Sequence, residues 1–171
     1  GYTYSTNFPT TAGAFNTTHS GATNRNDMCL TWLDPGKPAA NQLRYSTFIG
    51  GNVYEAVRSI AIDGGGIATV GGFCGPGFPV TPGCFDGTFN GAQDCIIFRI
   101  APLGNGARDL FYSTFIGGSN YECIVSMDMD KYGGVFFGAN TASPNFPTTT
   151  GAYSATLNGT EGALVGEIDL L

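Results

Sequence analysis

Two segments of this chain repeat each other closely enough to dictate its architecture. Residues 45–51 read Tyr-Ser-Thr-Phe-Ile-Gly-Gly, and the same seven residues return at 112–118. A second motif occurs three times: Asn7-Phe-Pro-Thr-Thr-Ala-Gly-Ala-Phe15, Gly77-Phe-Pro-Val-Thr-Pro-Gly-Cys-Phe85 and Asn145-Phe-Pro-Thr-Thr-Thr-Gly-Ala-Tyr153. A fixed period of this kind marks a stack of units, none of which buries its apolar faces without a neighbour. The motifs divide one repeat domain, 1–171, into a partial repeat (1–42) and two fuller ones (43–109 and 110–171), about two and a half copies.

Aligning the copies predicts four strands per unit. The first covers 43–49 and 110–116, the second 59–63 and 126–130, the third 67–71 and 135–139. The fourth covers 95–100 and 163–168, with an earlier copy at 28–33. In 95–100, Ile96, Phe98 and Ile100 alternate with Cys95, Ile97 and Arg99, so both faces of that strand are largely apolar and the sheet is expected to be covered on both sides. Asp63-Gly-Gly-Gly66 and Asp130-Lys-Tyr-Gly-Gly134 suit tight turns, which predicts a hairpin between the second and third strands. The prolines of the Phe-Pro-Thr-Thr loop remove ladder donors and keep that loop out of the sheet. No stretch holds apolar residues at three- and four-residue spacing, so almost no α-helix is expected.

Composition narrows the function classes. Only 12% of residues are charged, and the net charge is −6. Seven Lys and Arg dispersed along the chain form no basic patch, which argues against a nucleic-acid partner. No run approaches the length of a membrane span. The chain opens on Gly1 inside a repeat, which reads as a processed product or the ordered part of something longer.

Of five cysteines, Cys74 and Cys84 flank one loop, and the matching segment of the third copy has none. A pair gained together around a loop is a disulfide candidate that limits the unfolded chain; the alternative is two separate buried thiols. Cys29, Cys95 and Cys123 are then left as candidate intersubunit thiols, an odd number. Asn16-Thr-Thr18 and Asn158-Gly-Thr160 are N-glycosylation sequons, both in the loop after the Phe-Pro-Thr-Thr motif and read as sharing one repeat phase. Threonines near the prolines (Thr10, Thr11, Thr17, Thr18, Thr148, Thr149, Thr150) suit O-glycans or simply turns and strand ends.

No catalytic, cofactor or metal constellation emerges. The one histidine, His19, lies in a Thr-rich loop without zinc-ligand spacing. Glu55 and Glu122 recur, as do Asp27 and Asp94; carboxylates that keep a repeat phase read as turn or strand-end hydrogen-bonders rather than a catalytic pair. Asp128-Met-Asp130-Lys-Tyr132 lacks the third oxygen ligand and the distal Glu of a calcium loop. Gly64–Gly66 precedes no helix and is no phosphate cradle. Trp32 sits in a strand, where core or interface is the ordinary role.

The ordered pattern of Tyr-Ser-Thr-Phe-Ile-Gly-Gly, Ile60-Ala-Ile-Asp63, a Gly-rich turn, Phe-Pro-Thr-Thr-x-Gly-Ala-Phe and Asp94 before an apolar strand resembles the seven-bladed β-propeller repeat of secreted and cell-surface proteins. The resemblance implies an all-β fold of four-stranded antiparallel propeller-type blades and an extracellular or cell-surface location. It implies no chemistry. A closed propeller takes about four to eight blades, so this chain is expected to form an incomplete propeller or open repeat array. The unpaired early strand, 28–33, is expected to complete a sheet of a neighbouring copy. The reading is therefore a non-enzymatic, glycosylated structural subunit whose partners are head-to-tail copies of itself in a filament or surface appendage. The alternative is a carbohydrate- or protein-binding fragment of a larger cell-surface propeller; a propeller enzyme would need acids clustered near a channel.

Overall fold

In a computed structural model of the chain, which describes residues 1–20 and 24–170, the fold is all-β. Ten strands follow in order: β1 (Tyr2–Thr3), β2 (Asp27–Leu33), β3 (Leu43–Ile49), β4 (Ala56–Ile62), β5 (Ala68–Cys74), β6 (Asp94–Ile100), β7 (Leu110–Ile116), β8 (Glu122–Met129), β9 (Gly134–Thr141) and β10 (Gly162–Asp169). The only helical pieces among the described residues are the short 3₁₀ segments Ala39–Asn41 and Gly106–Asp109. The strands form three antiparallel sheets that do not close into a barrel. Sheet I runs β1-β2-β3, sheet II β4-β5-β6-β7 and sheet III β10-β9-β8.

The hairpins form for the reason the turn residues supply. Asp63 Oδ1 accepts from the backbone N–H of Gly65 (2.8 Å) and Ile67 (3.0 Å), and Gly66 takes φ +80°, a conformation that glycine alone adopts without strain. Asp130 Oδ1 repeats the device on Tyr132 (2.8 Å) and Gly134 (2.9 Å). These carboxylates are turn clasps, and Asp63 has a second role. The Ile67 and Gly65 hydrogen bonds, with the Arg99 guanidinium at 2.8 Å, hold its carboxyl below the usual range.

Sheet boundaries fall out of phase with repeat boundaries. The first strand of each unit pairs with the fourth strand of the unit before it: β3 with β2, and β7 with β6. The early strand is paired along one edge by β3, while its other edge meets only the two residues of β1, so most of the edge that would complete a neighbouring sheet stays open. Met28 to Leu33 are already paired with Leu43 to Ile49 of the same chain. Only sheet II contains all four strands. Sheet I has just the two residues of β1 on the far side of β2, and sheet III has no strand beyond β10 among the described residues.

The core follows from the same stacking. Every residue of β6 is buried. Ile96, Phe98 and Ile100 join Met28, Tyr45 and Ile49 of sheet I in one apolar cluster. Cys95 and Ile97 join Ile124, Met127, Val135 and Phe137 of sheet III in another. The prediction of two covered faces holds for β5 and β6 of this middle sheet and not for β4, where Arg58, Ile60 and Ile62 are exposed. It fails for sheet III: along β10 exposed and half-buried residues alternate, and Val165 is 86% exposed. At the junction of sheets II and III, Ser59 Oγ donates to the Met127 carbonyl (3.2 Å) and accepts from its N–H (3.1 Å).

Candidate functional site

The Gly-Gly of the repeated heptapeptide and the two recurring carboxylates belong to one structural station. At the junction of sheets I and II, Gly51 N–H donates to Glu55 Oε1 (3.0 Å). A Cβ on Gly50 would lie 2.7 Å from the Asp27 carboxyl carbon, so only glycine lets that acid approach. The Asn26 side chain donates to the Glu55 carbonyl. The same station recurs between sheets II and III. Gly118 N–H donates to Glu122 Oε2 (2.9 Å), Gln93 Nε2 to the Glu122 carbonyl (2.8 Å), and Gly117 stands in the place of Gly50 against Asp94. Asp27 accepts from Ser20 N–H (2.6 Å) and Asp94 from Asn90 N–H (2.8 Å). All four carboxylates are almost fully buried and are committed to backbone donors.

The two stations differ in the donor to the second glutamate oxygen. Thr141 Oγ1 donates to Glu122 Oε1 (2.7 Å). Cys74 occupies the matching position in β5, as the ladder registers show, and Glu55 Oε2 is left buried with no hydrogen-bond partner. Burial, reinforced by the Asp27 charge and opposed by the Gly51 hydrogen bond, pushes the Glu55 carboxyl up to about 7. Burial, with the Glu122 charge, pushes Asp94 up to about 6. No nucleophile–base pair accompanies these acids, and among the described residues no group of three or more His, Cys, Asp and Glu is placed to hold a metal ion.

The disulfide expected between Cys74 and Cys84 is not formed; all five cysteines carry free thiols. Cys74 is fully buried at the end of β5, opposite Asp94, inside the cluster facing sheet I, whereas Cys84 is half-exposed on the loop. One thiol sits in a ladder and the other on a surface turn, an orientation that flanking in the sequence does not specify. Of the candidate intersubunit thiols, Cys95 is fully buried, and burial raises its thiol. Cys29 and Cys123 are half-buried.

The two sequons do not share a repeat phase. Asn16 matches Asp86: each accepts from the N–H two residues on, Thr18 at 2.9 Å and Thr88 at 2.8 Å. Asn16 Nδ2 also donates to Ser20 Oγ (3.2 Å). Asn158 instead matches Ser20 and Asn90, and its side chain is exposed. His19 packs edge-on against Phe48, with its ring 5.5 Å away, as a loop-anchoring side chain.

A wide concave feature lies on sheet III. A groove of about 1030 Å³ is lined by β10 from Ala163 to Ile168, by Thr149, Tyr153 and Ser154 of the third Phe-Pro-Thr-Thr loop, and by Tyr112 and Ile116 of β7. Sequence reasoning missed it. Its signal was the third Phe-Pro-Thr-Thr copy, which puts Thr149, Tyr153 and Ser154 where the other copies hold residues that meet a first strand. At the other end, β2 exposes Trp32 and Leu33, and an apolar cavity of about 50 Å³ opens beside Gly1, Cys29, Val57 and Ile60. Among the described residues, no helix is long and apolar enough to cross a membrane. No protein-family model matches the chain, and no curated protein matches it.

Proposed function

We propose that this chain is a non-enzymatic structural subunit, secreted and glycosylated, whose three sheets are successive propeller-type blades in an open array. Copies associate head to tail through the two end sheets and build an extracellular filament or surface appendage. One observation carries the reading. The middle sheet alone has four strands, and its inner strands β5 and β6 are covered on both faces although its β4 edge exposes Ile60 and Ile62; each end sheet has three strands among the described residues and displays large apolar side chains, Trp32 and Leu33 at one end and Val125, Phe136 and Val165 at the other. Open strand edges and clustered apolar residues are the features by which sheets recruit further sheets. Two different end surfaces favour heterologous contacts, which propagate as a fibre or close as a ring.

Sedimentation and negative-stain microscopy of the full chain test this. Particles many subunits long are the expected result; a persistent 17.8 kDa monomer at micromolar concentration would refute it.

Glycan placement follows from the loops. Asn158 presents a free, exposed amide, whereas the Asn16 amide is held in its own turn. In an N-glycosylating host, Asn158→Gln should lower the intact mass by one glycan and Asn16→Gln should leave it unchanged. Loss of glycan mass in Asn16→Gln would contradict this assignment.

A further inference from the structure

We propose that the groove along β10 is a strand-acceptor slot. Its occupant is an extended segment of the repeat's own first-strand type, Asp-Leu-x-Tyr-Ser-Thr-Phe-Ile-Gly-Gly. Both such segments of this chain, β3 and β7, are already paired in sheets I and II, so the inference goes beyond the assembly reading above and stands on the geometry of the slot.

That basis is the way the same slot is filled elsewhere in the molecule. In sheet II, β7 lies along β6 with Ile116 opposite Cys95, Phe115 opposite Ile96 and Thr114 opposite Ile97. Its outer edge is then clasped by the second Phe-Pro-Thr-Thr loop. Thr81 N–H donates to the Ser113 carbonyl (3.1 Å), and Thr81 Oγ1 accepts from Ser113 N–H (2.9 Å). Asp86 N–H donates to Thr114 Oγ1 (2.8 Å), and Phe85 N–H to the Tyr112 hydroxyl (3.3 Å). Sheet I repeats this clasp on β3. Thr11 N–H reaches the Ser46 carbonyl (3.0 Å), Asn16 N–H reaches Thr47 Oγ1 (2.9 Å), and Phe15 N–H reaches the Tyr45 hydroxyl (3.1 Å).

In sheet III the clasp stands ready without its strand. Thr149, Tyr153 and Ser154 occupy the places of Thr81, Phe85 and Asp86. The supporting turn is already made, with Ala152 N–H donating to the Thr149 carbonyl (3.1 Å), as Ala14 does to Thr11 (3.2 Å) and Cys84 to Thr81 (3.3 Å). All three clasp residues are exposed and line the groove. The registers transfer directly. An incoming Ile faces Ala163, Phe faces Leu164, Thr faces Val165 and Ser faces Gly166.

A second vacancy points to the leading Asp of the ligand. The Tyr45 hydroxyl donates to Asp109 Oδ2 (3.0 Å), a fully buried acid from the loop ahead of the next first strand. Tyr112 holds the same place in the heptapeptide and lines the groove. A strand preceded by Asp would supply its partner. Sequence specificity thus comes from clasp and register together, as in strand addition generally.

The test uses the full chain and a dye-labelled peptide, Asp-Leu-Phe-Tyr-Ser-Thr-Phe-Ile-Gly-Gly, read by fluorescence anisotropy and by hydrogen exchange at β10. Saturable one-to-one binding with slowed exchange from Ala163 to Ile168 is expected. A peptide with Pro in place of Ser, which loses the N–H that meets the clasp threonine, should not bind. Thr149→Val on the exposed loop should weaken binding about tenfold through loss of one hydrogen bond. Equal binding of the Ser and Pro peptides, or no protection at β10, would overturn the slot. Fibres that keep their mass at saturating peptide with none bound would also overturn it, leaving direct sheet-to-sheet contact between copies as the mode of assembly. A chain that stays monomeric yet binds the peptide would uphold the slot and refute the filament reading.

Discussion

Replacing Phe98 with alanine should cost about 3–5 kcal/mol of stability, a large share of what a domain of this size has to lose. Phe98 lies at the middle of β6, which among the described residues is the one strand buried along its whole length. It pairs with Val70 and Ser113, and its ring stands 5.8 Å from that of Phe78. It also belongs to the cluster that joins sheet I to sheet II. Truncation leaves a cavity between two sheets whose backbones are fixed by their own ladders, so little of it can collapse. Tyr153→Ala, on the empty clasp loop, serves as control and should move stability by no more than about 0.5 kcal/mol. Urea midpoints of the two variants check this; a Phe98→Ala midpoint close to that of Tyr153→Ala would mean that the stacked-sheet core is wrong.

The second large effect is a dependence on pH. Glu55 has a folded-state pKa of about 7 against a usual value of 4.5. Between those values the folded chain binds more protons than the unfolded chain. Stability from this group is therefore fully present below pH 4.5 and is lost as pH rises through 7. Asp94 acts in the same direction, between 3.8 and about 6. Glu55→Gln removes the first contribution. The stability of the native chain relative to this variant should fall by on the order of 3 kcal/mol between pH 4.5 and pH 8. Cys74→Thr supplies the missing donor to Glu55 Oε2, as Thr141 does for Glu122, and should flatten the pH profile while leaving the carboxylate in place. Thermal unfolding across this range gives the answer, and identical profiles for native, Glu55→Gln and Cys74→Thr chains would show that the acid is not held as described.

The same station shows what could be read in advance. Recurrence of Asp27 with Asp94 and of Glu55 with Glu122 was enough to assign them structural hydrogen-bonding work, because a carboxylate kept at one repeat phase serves whatever the repeat needs. The partner difference, Thr141 against Cys74, was visible as letters. It carried no meaning until the registers of β5 and β9 placed both residues across from their glutamates. The Cys74–Cys84 pairing, which the structure does not contain, meets the same limit: proximity in sequence says nothing about which face of a ladder a thiol enters.

Strand positions, hairpin turns and the near absence of helix were determined by the chain alone, since they depend on local matters: alternation along a strand, positive φ at Gly, and prolines that cannot donate. The grouping of strands into sheets was decided only in three dimensions. A unit's first strand finds its hydrogen bonds with the preceding unit, so the repeat read from sequence and the sheet built in space are offset by one strand. That offset pairs one edge of the early strand with the next unit and leaves the outer edge of β10 unpaired among the described residues, because backbone donors and acceptors are satisfied across neighbouring units rather than inside each one.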